Sequence, residues 1–123
     1  MKKTYIMKSI KIKRIYDPPE LEDGYRILID RLWPRGIGKE EAKLDEWNKN
    51  IAPSTELRKW FDHKEERFEE FSLRYQEELK THYSELERLF EIAKKQNLCL
   101  LYGAKNPNNN QAVVLKAILL KLV

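Results

Sequence analysis

Apolar and polar positions alternate at the start of the chain and change period partway along it. Between Ile6 and Tyr16, Ile10 and Ile12 fall on one side, with Arg14 in step, and lysines fall on the other, which is the two-residue period of a strand. Asp17-Pro18-Pro19 ends that strand, because proline donates nothing to a sheet ladder and restricts the residue before it. Asp23-Gly24 signals a turn, and Ile27-Leu28-Ile29 is the unbroken apolar run of a buried strand. The link between these strands is short for a parallel crossover, so antiparallel and parallel pairings both stay open. The period then becomes helical. Leu44, Trp47 and Ile51 make one stripe for a helix over Lys39 to Asn48, and Ser54 is placed to cap a short helix carrying Leu57, Trp60 and Phe61. Asp62 with Glu65, and Ser84 with Glu87, have capping-box spacing. They precede helices carrying Phe68, Phe71, Tyr75 and Leu79, then Leu86, Leu89, Phe90 and Ala93, the second closed by Asn97. Leu98 to Tyr102 is the most hydrophobic run, which predicts a central strand parallel to the second one. The polar loop GAKNPNNNQ and a closing helix over 112–122 complete the chain.

These elements predict a single α/β domain over residues 1–123: a small sheet of about three mainly parallel strands, near 8–16, 25–31 and 98–103, packed with about five helices. A composition of 41% hydrophobic and 36% charged residues is that of a folded globular chain rather than a disordered one. No stretch approaches the ~18 apolar residues of a membrane span, and lysines interrupt what would be the apolar region of a signal peptide. The expected setting is cytoplasmic. The single cysteine, Cys99, lies in an apolar run and reads as an inert core residue of a reducing compartment.

Charge sharpens the picture at one place. Residues 1–39 carry ten Lys/Arg against five Asp/Glu, and residues 40–123 carry fourteen against fifteen. The lysines of the first strand read as a solvated face, and Glu20, Glu22 and Asp23 as solvated loop acids. The stretch YRILIDRLWPRGIG, residues 25–38, is different. It is a buried strand that runs out into Asp30 and Arg31 and then a loop shaped by Trp33, Pro34, Arg35, Gly36 and Gly38. Charge at the end of a buried strand marks the ligand-facing edge of an α/β sheet, and arginine is suited to planar anions. With the second and third strands parallel, the loops 30–38 and 103–111 emerge at one edge. No dinucleotide fingerprint, phosphate loop, zinc-protease motif or serine triad is present. His63 and His82 are far apart, so neither a metal nor a cofactor is expected. Asn108 to Asn110 cap the last helix or orient a ligand, but cannot act as a base.

The runs KRIYDPP, DGYRILIDRLWPRG, LDEWNKNIAPS, ELRKWF and LLYGAKNPNNNQAVVL resemble the DUF488 family in its short bacterial branch, from about Arg14 to Leu115. The resemblance implies an α/β fold more than any activity. Wider relatives carry an Asp-Val-Arg block after one strand, and a Cys-x-Glu followed by Cys-His-Arg after another. Asp30, Arg31 and Pro34 keep the likeness to the first block. At the second, Tyr102 and Ala104 stand in place of the cysteine and glutamate, and Asn110-Gln111-Ala112 in place of Cys-His-Arg. Short-branch relatives often have a His-Asn-His run, against Asn109, Asn110 and Gln111 here. Every replaced group could transfer a proton or attack a substrate, so the resemblance implies a relative that binds without catalysing.

Three functions remain in play. One is a non-catalytic module that binds a nucleotide or nucleic-acid phosphate through Arg31, Arg35 and Lys105, with Asn109 and Asn110 as orienting amides and Trp33 and Trp60 as stacking surfaces. A second is a small enzyme with Asp30 as acid/base and Arg31 and Arg35 stabilising negative charge. The third is a structural or regulatory partner with no ligand. Burial of Asp30 discriminates the first two: a fully paired carboxylate favours binding, an exposed cleft favours catalysis. The oligomeric state is not legible.

Overall fold

The apolar run Leu98–Tyr102 is buried at every residue and takes an interior position in the sheet. The computed structural model describes residues 9–122. Four strands, β1 (Ile10–Arg14), β2 (Tyr25–Leu28), β3 (Glu46–Trp47) and β4 (Leu98–Tyr102), pair in the order β1-β4-β2-β3, all parallel. The open question about β1 is settled as parallel, with Ile12 opposite Leu100. Ile6, at the start of the expected first strand, lies outside the described residues. The expected α/β class holds, with a fourth strand added.

The two faces of the sheet are covered unequally. On one, Ile10, Ile27, Leu98 and Leu100 meet Phe71, Tyr75 and Leu79 of α3 (Phe68–Lys80), Leu86, Leu89 and Ala93 of α4 (Tyr83–Lys95), and Ala112, Leu115 and Leu119 of α5 (Gln111–Lys121). On the other, Leu28, Cys99 and Leu101 lie with Ile15 beneath Ala42 of α1 (Lys39–Ala42), Trp33, Ile37, Leu44 and Trp47. Cys99 is the inert core residue expected, its thiol pushed up to about 11 by burial. Gly24 closes the start of β2 at φ +69, where a Cβ would come within 2.2 Å of the Asn97 carbonyl oxygen, so only glycine fits.

Several boundaries differ from the expected ones. The helix expected over 39–48 stops at Ala42, because Lys43 takes a left-handed conformation (φ 47) and the chain turns back to the sheet as β3. The stripe is thereby divided: Leu44 and Trp47 join the second face, Ile51 the first. Asp62 does not cap α3. It is the left-handed C-cap of α2 (Thr55–Phe61), and a 3-10 turn over Glu65–Arg67 leads into α3. Ser84 lies inside α4, whose N-cap is His82, and α4 ends at Lys95 rather than at Asn97. Asn97 instead ties three segments, accepting from Ser9 and Tyr25 backbone N–H groups and donating to the Glu22 carbonyl.

The largest correction concerns the acids and lysines of the first forty residues. Asp23 is fully buried rather than solvated, and its carboxylate takes Arg26 (2.5 Å), Lys13 (3.0 Å) and Lys11 (3.2 Å) together with the Glu20 N–H. Burial pushes this carboxyl up, and the Glu20 N–H with Lys13, Lys11 and Arg26 outweigh it, holding the pKa down to about 2. Lys11 and Lys13 are therefore tied to a charge, not to solvent alone.

Ser54 caps α2 as expected, its Oγ accepting from Leu57 N (3.1 Å), and the same hydroxyl donates to Glu78 Oε2 (2.5 Å) on α3. Ser54→Ala is expected to lower stability by about 1–2 kcal/mol, read from urea midpoints. An unchanged midpoint would remove the capping role.

Candidate functional site

In a parallel sheet every strand ends at the same edge, so the segments that follow β1, β2, β3 and β4 gather there. Asp30 sits at the centre of that edge, two residues beyond β2. Its Oδ2 accepts from Gly103 N–H (2.9 Å), its Oδ1 accepts from the Gln111 side-chain amide, and its backbone carbonyl accepts from Trp47 Nε1 (2.7 Å). A Cβ on Gly103 would lie 2.8 Å from Asp30 Oδ2, so glycine there lets the carboxylate reach the backbone. Burial raises the Asp30 pKa to about 6, against the Gly103 and Gln111 hydrogen bonds and the charge of Arg58 on α2, which hold it down. Among the described residues the Arg58 guanidinium carries no hydrogen bond or ion pair, leaving Asp30 as its electrostatic neighbour.

The expected anion-binding residues separate. Arg31 turns toward the segment after β3, donating from Nε to the Pro53 carbonyl (2.9 Å) and from Nη2 to the Ala52 carbonyl (3.4 Å). Arg35 lies exposed near the end of β1, where its carbonyl accepts from Tyr16 OH (2.6 Å). Arg14 stacks over the Tyr16 ring (4.7 Å) and donates to the carbonyls of Ala104 (2.9 Å) and Gly103 (3.4 Å), next to exposed Lys105. Arg14, Tyr16, Arg35 and Lys105 thus share one corner. The side chains of Arg35 and Lys105 have no hydrogen bond or ion pair among the described residues.

The remaining candidates are used within the fold. Trp33 packs edge-on against Trp47, ring centroids 5.2 Å apart, and donates to the Ile37 carbonyl (2.8 Å). Trp60 lies under the guanidiniums of Arg74 (4.3 Å) and Arg67 (5.4 Å). Asn110 is buried and caps α5, its Oδ1 accepting from Ala112 N and Val113 N. Asn109 is part-buried, with its N–H on Asn106 Oδ1 (3.1 Å).

Sequence reasoning overlooked Arg14, Tyr16 and Arg58 as members of this edge. The first two become visible once β1 is known to run parallel to β4, which brings its end to the same side. Arg58 lies one turn after the Ser54 cap, on the helix that brings its charge close enough to act on Asp30. Gln111 stood out only through the family resemblance, and it meets Asp30 directly.

A family model described as the inactive DUF488-N3 subclade matches residues 9–123. The chain is 56% identical over 107 residues to the protein YeaO of Escherichia coli (strain K12), covering 87% of this chain and 93% of that one. It is 49% identical over 70 residues to Rv3073c of Mycobacterium tuberculosis (strain ATCC 25618 / H37Rv), covering 57% of this chain and 59% of that protein. The same figures hold for Mb3100c of Mycobacterium bovis (strain ATCC BAA-935 / AF2122/97). No solved structure matches at a significant level.

Proposed function

The chain belongs to the DUF488 family, within the subclade described as inactive, and from that premise we propose that it is a non-catalytic module binding the phosphate of a nucleotide or nucleic acid at its strand-end loops. The observation that carries this reading is the contrast at the edge. Its part-buried carboxylate, Asp30, has both oxygens held by amide donors that do not shuttle protons, whereas the side chains of Arg35 and Lys105 stand exposed with no hydrogen bond or ion pair among the described residues. Arg14 and Tyr16, a residue 39% exposed with Arg14 over one face of its ring, lie in the same corner. Cations draw the phosphate, and an exposed aromatic offers a stacking surface for a base.

The test is fluorescence anisotropy with a single-stranded oligonucleotide, and competition by ATP, across a salt series. The double variant Arg35→Ala/Lys105→Ala should bind roughly 10-fold more weakly, with a salt slope shallower by about 1–2, and melt like the wild type. Wild-type binding by that variant, or a collapse of its melting temperature, would sink the reading.

The enzymatic alternative draws on one observation, that the Asp30 pKa of about 6 is poised near neutrality. It requires Asp30 to release a partner before it can touch a substrate. Turnover of a phosphate ester that is abolished by Asp30→Asn would favour it.

A further inference from the structure

We propose that the groove between the segment after β3 and the α3–α4 junction is a second site, independent of the Arg35–Lys105 corner, that binds a free α-amino acid. The groove has a volume of about 290 Å³ and is lined among others by Arg31, Asn50, Tyr75, Glu78 and His82. That is at or just below the lower end of ordinary ligand pockets, so a small ligand fits it and a nucleotide does not.

Its chemistry is set by which donors the fold has already used. Arg31 has five. The edge made by Nε and Nη2 is spent on the Pro53 and Ala52 carbonyls, which fixes the plane of the guanidinium. The opposite edge, Nη1 with the second proton of Nη2, has no partner among the described residues. A guanidinium anchored on one edge and open on the other receives a carboxylate fork to fork, and the anchoring lowers the ordering cost of binding. The Asn50 amide and the His82 imidazole also line the groove and carry no side-chain hydrogen bond among the described residues. They supply further polar groups for a carboxylate.

The other pole is Glu78. Its two oxygens accept from Ser54 N (2.8 Å) and Ser54 Oγ (2.5 Å), which hold the carboxylate in place, and each oxygen keeps lone pairs for another donor. No ion pair neutralises it among the described residues. Tyr75 is not a competing polar group, because its hydroxyl is committed to the Ile51 carbonyl (2.6 Å). One fixed positive fork and one fixed carboxylate on the walls of a single small groove match a ligand that carries a carboxylate and an ammonium a few ångströms apart. A doubly charged phosphate could meet Arg31, but carries no ammonium to offset its repulsion from Glu78.

The experiment is a titration of ¹⁵N-labelled protein, followed by amide and arginine side-chain resonances, with L-alanine, sodium acetate and inorganic phosphate in parallel. L-Alanine should give saturable shifts at Arg31, Asn50 and His82, and should bind roughly 10-fold more tightly than acetate, which engages the arginine alone. Glu78→Gln, which retains an acceptor for Ser54, should reduce L-alanine to the acetate level. Arg31→Lys keeps the charge but loses the fork, and should weaken both about 10-fold. Arg35→Ala/Lys105→Ala should bind L-alanine as wild type does, which separates this site from the phosphate-binding corner. No shift at the three residues up to ~20 mM, acetate or phosphate binding as tightly as L-alanine, or an unchanged affinity in Glu78→Gln would each overturn the proposal.

Discussion

Asp23→Ala is expected to destabilise the protein by about 3–5 kcal/mol, a large part of the stability of an ordinary domain. The size comes from what the substitution leaves behind. Arg26 is 4% exposed and would keep its charge and its bonds to the Ala42 and Lys43 carbonyls, but lose the one carboxylate it pairs with among the described residues. Lys13 would keep Glu20, and Lys11 can swing into solvent, so the penalty concentrates on Arg26. Asp23→Ala/Arg26→Met should therefore recover part of the loss, because removing both members of a buried pair costs less than removing one. The same pairing sets the acid limit. The folded carboxyl titrates near 2, below its unfolded value, so its contribution is full above about pH 4 and is lost as pH falls toward 2. Urea unfolding of the three proteins at neutral pH and down the acid limb measures both effects. A loss below 1 kcal/mol in the single variant would show that the hub is surface-like.

How much of this was legible depended on whether a signal was local. Ser54 capping α2, Asn110 capping α5 and the apolar run of β4 depend on neighbours within a few residues, and each was readable. Asp23 was not, because its partners Lys11 and Lys13 come from β1 and approach only after the sheet forms. Composition makes an aspartate in a polar turn look solvated, and only tertiary pairing makes its burial tolerable. β3 was hidden for a related reason. Leu44, Trp47 and Ile51 have helical spacing, yet their side chains serve opposite faces of the sheet, which a periodicity count cannot distinguish.

The edge of the sheet was found by the same logic and for a sound reason: a buried strand that ends in charge marks it. Which residues stay available there could not be read, because it depends on which carbonyls lie within reach. Arg31 and Arg35 are four positions apart in one loop. One is tied to the segment after β3, the other lies open beside the end of β1. Trp33 was a stacking candidate by type, and its ring is instead part of the cover over the second face.

Asp30 should make the protein less stable as pH rises through the weakly acidic range, the reverse of the Asp23 effect. Its folded pKa, about 6, lies above the unfolded value of a free aspartate. The folded state therefore binds the proton more tightly, and the ionised form is the costly one. Stability associated with this group is full below about pH 4 and is lost as pH climbs through 6, by roughly 3 kcal/mol in total. The cause is burial at the strand end, which the Gly103 and Gln111 hydrogen bonds offset only in part. The two aspartates act in separate windows, Asp23 below pH 4 and Asp30 between 4 and about 6, so one does not mask the other. Asp30→Asn isolates the effect. Its Oδ1 still accepts from one amide, while its Nδ2 meets a second donor, which adds an offset that does not vary with pH. The stability of the wild type relative to Asp30→Asn should therefore fall by about 2–2.5 kcal/mol from pH 4 to pH 7, measured by urea unfolding at each pH. A flat difference would mean that the carboxylate is solvated well enough to keep its ordinary pKa. A rising one would mean that its two donors outweigh burial, and Asp30 would then be a structural anion like Asp23.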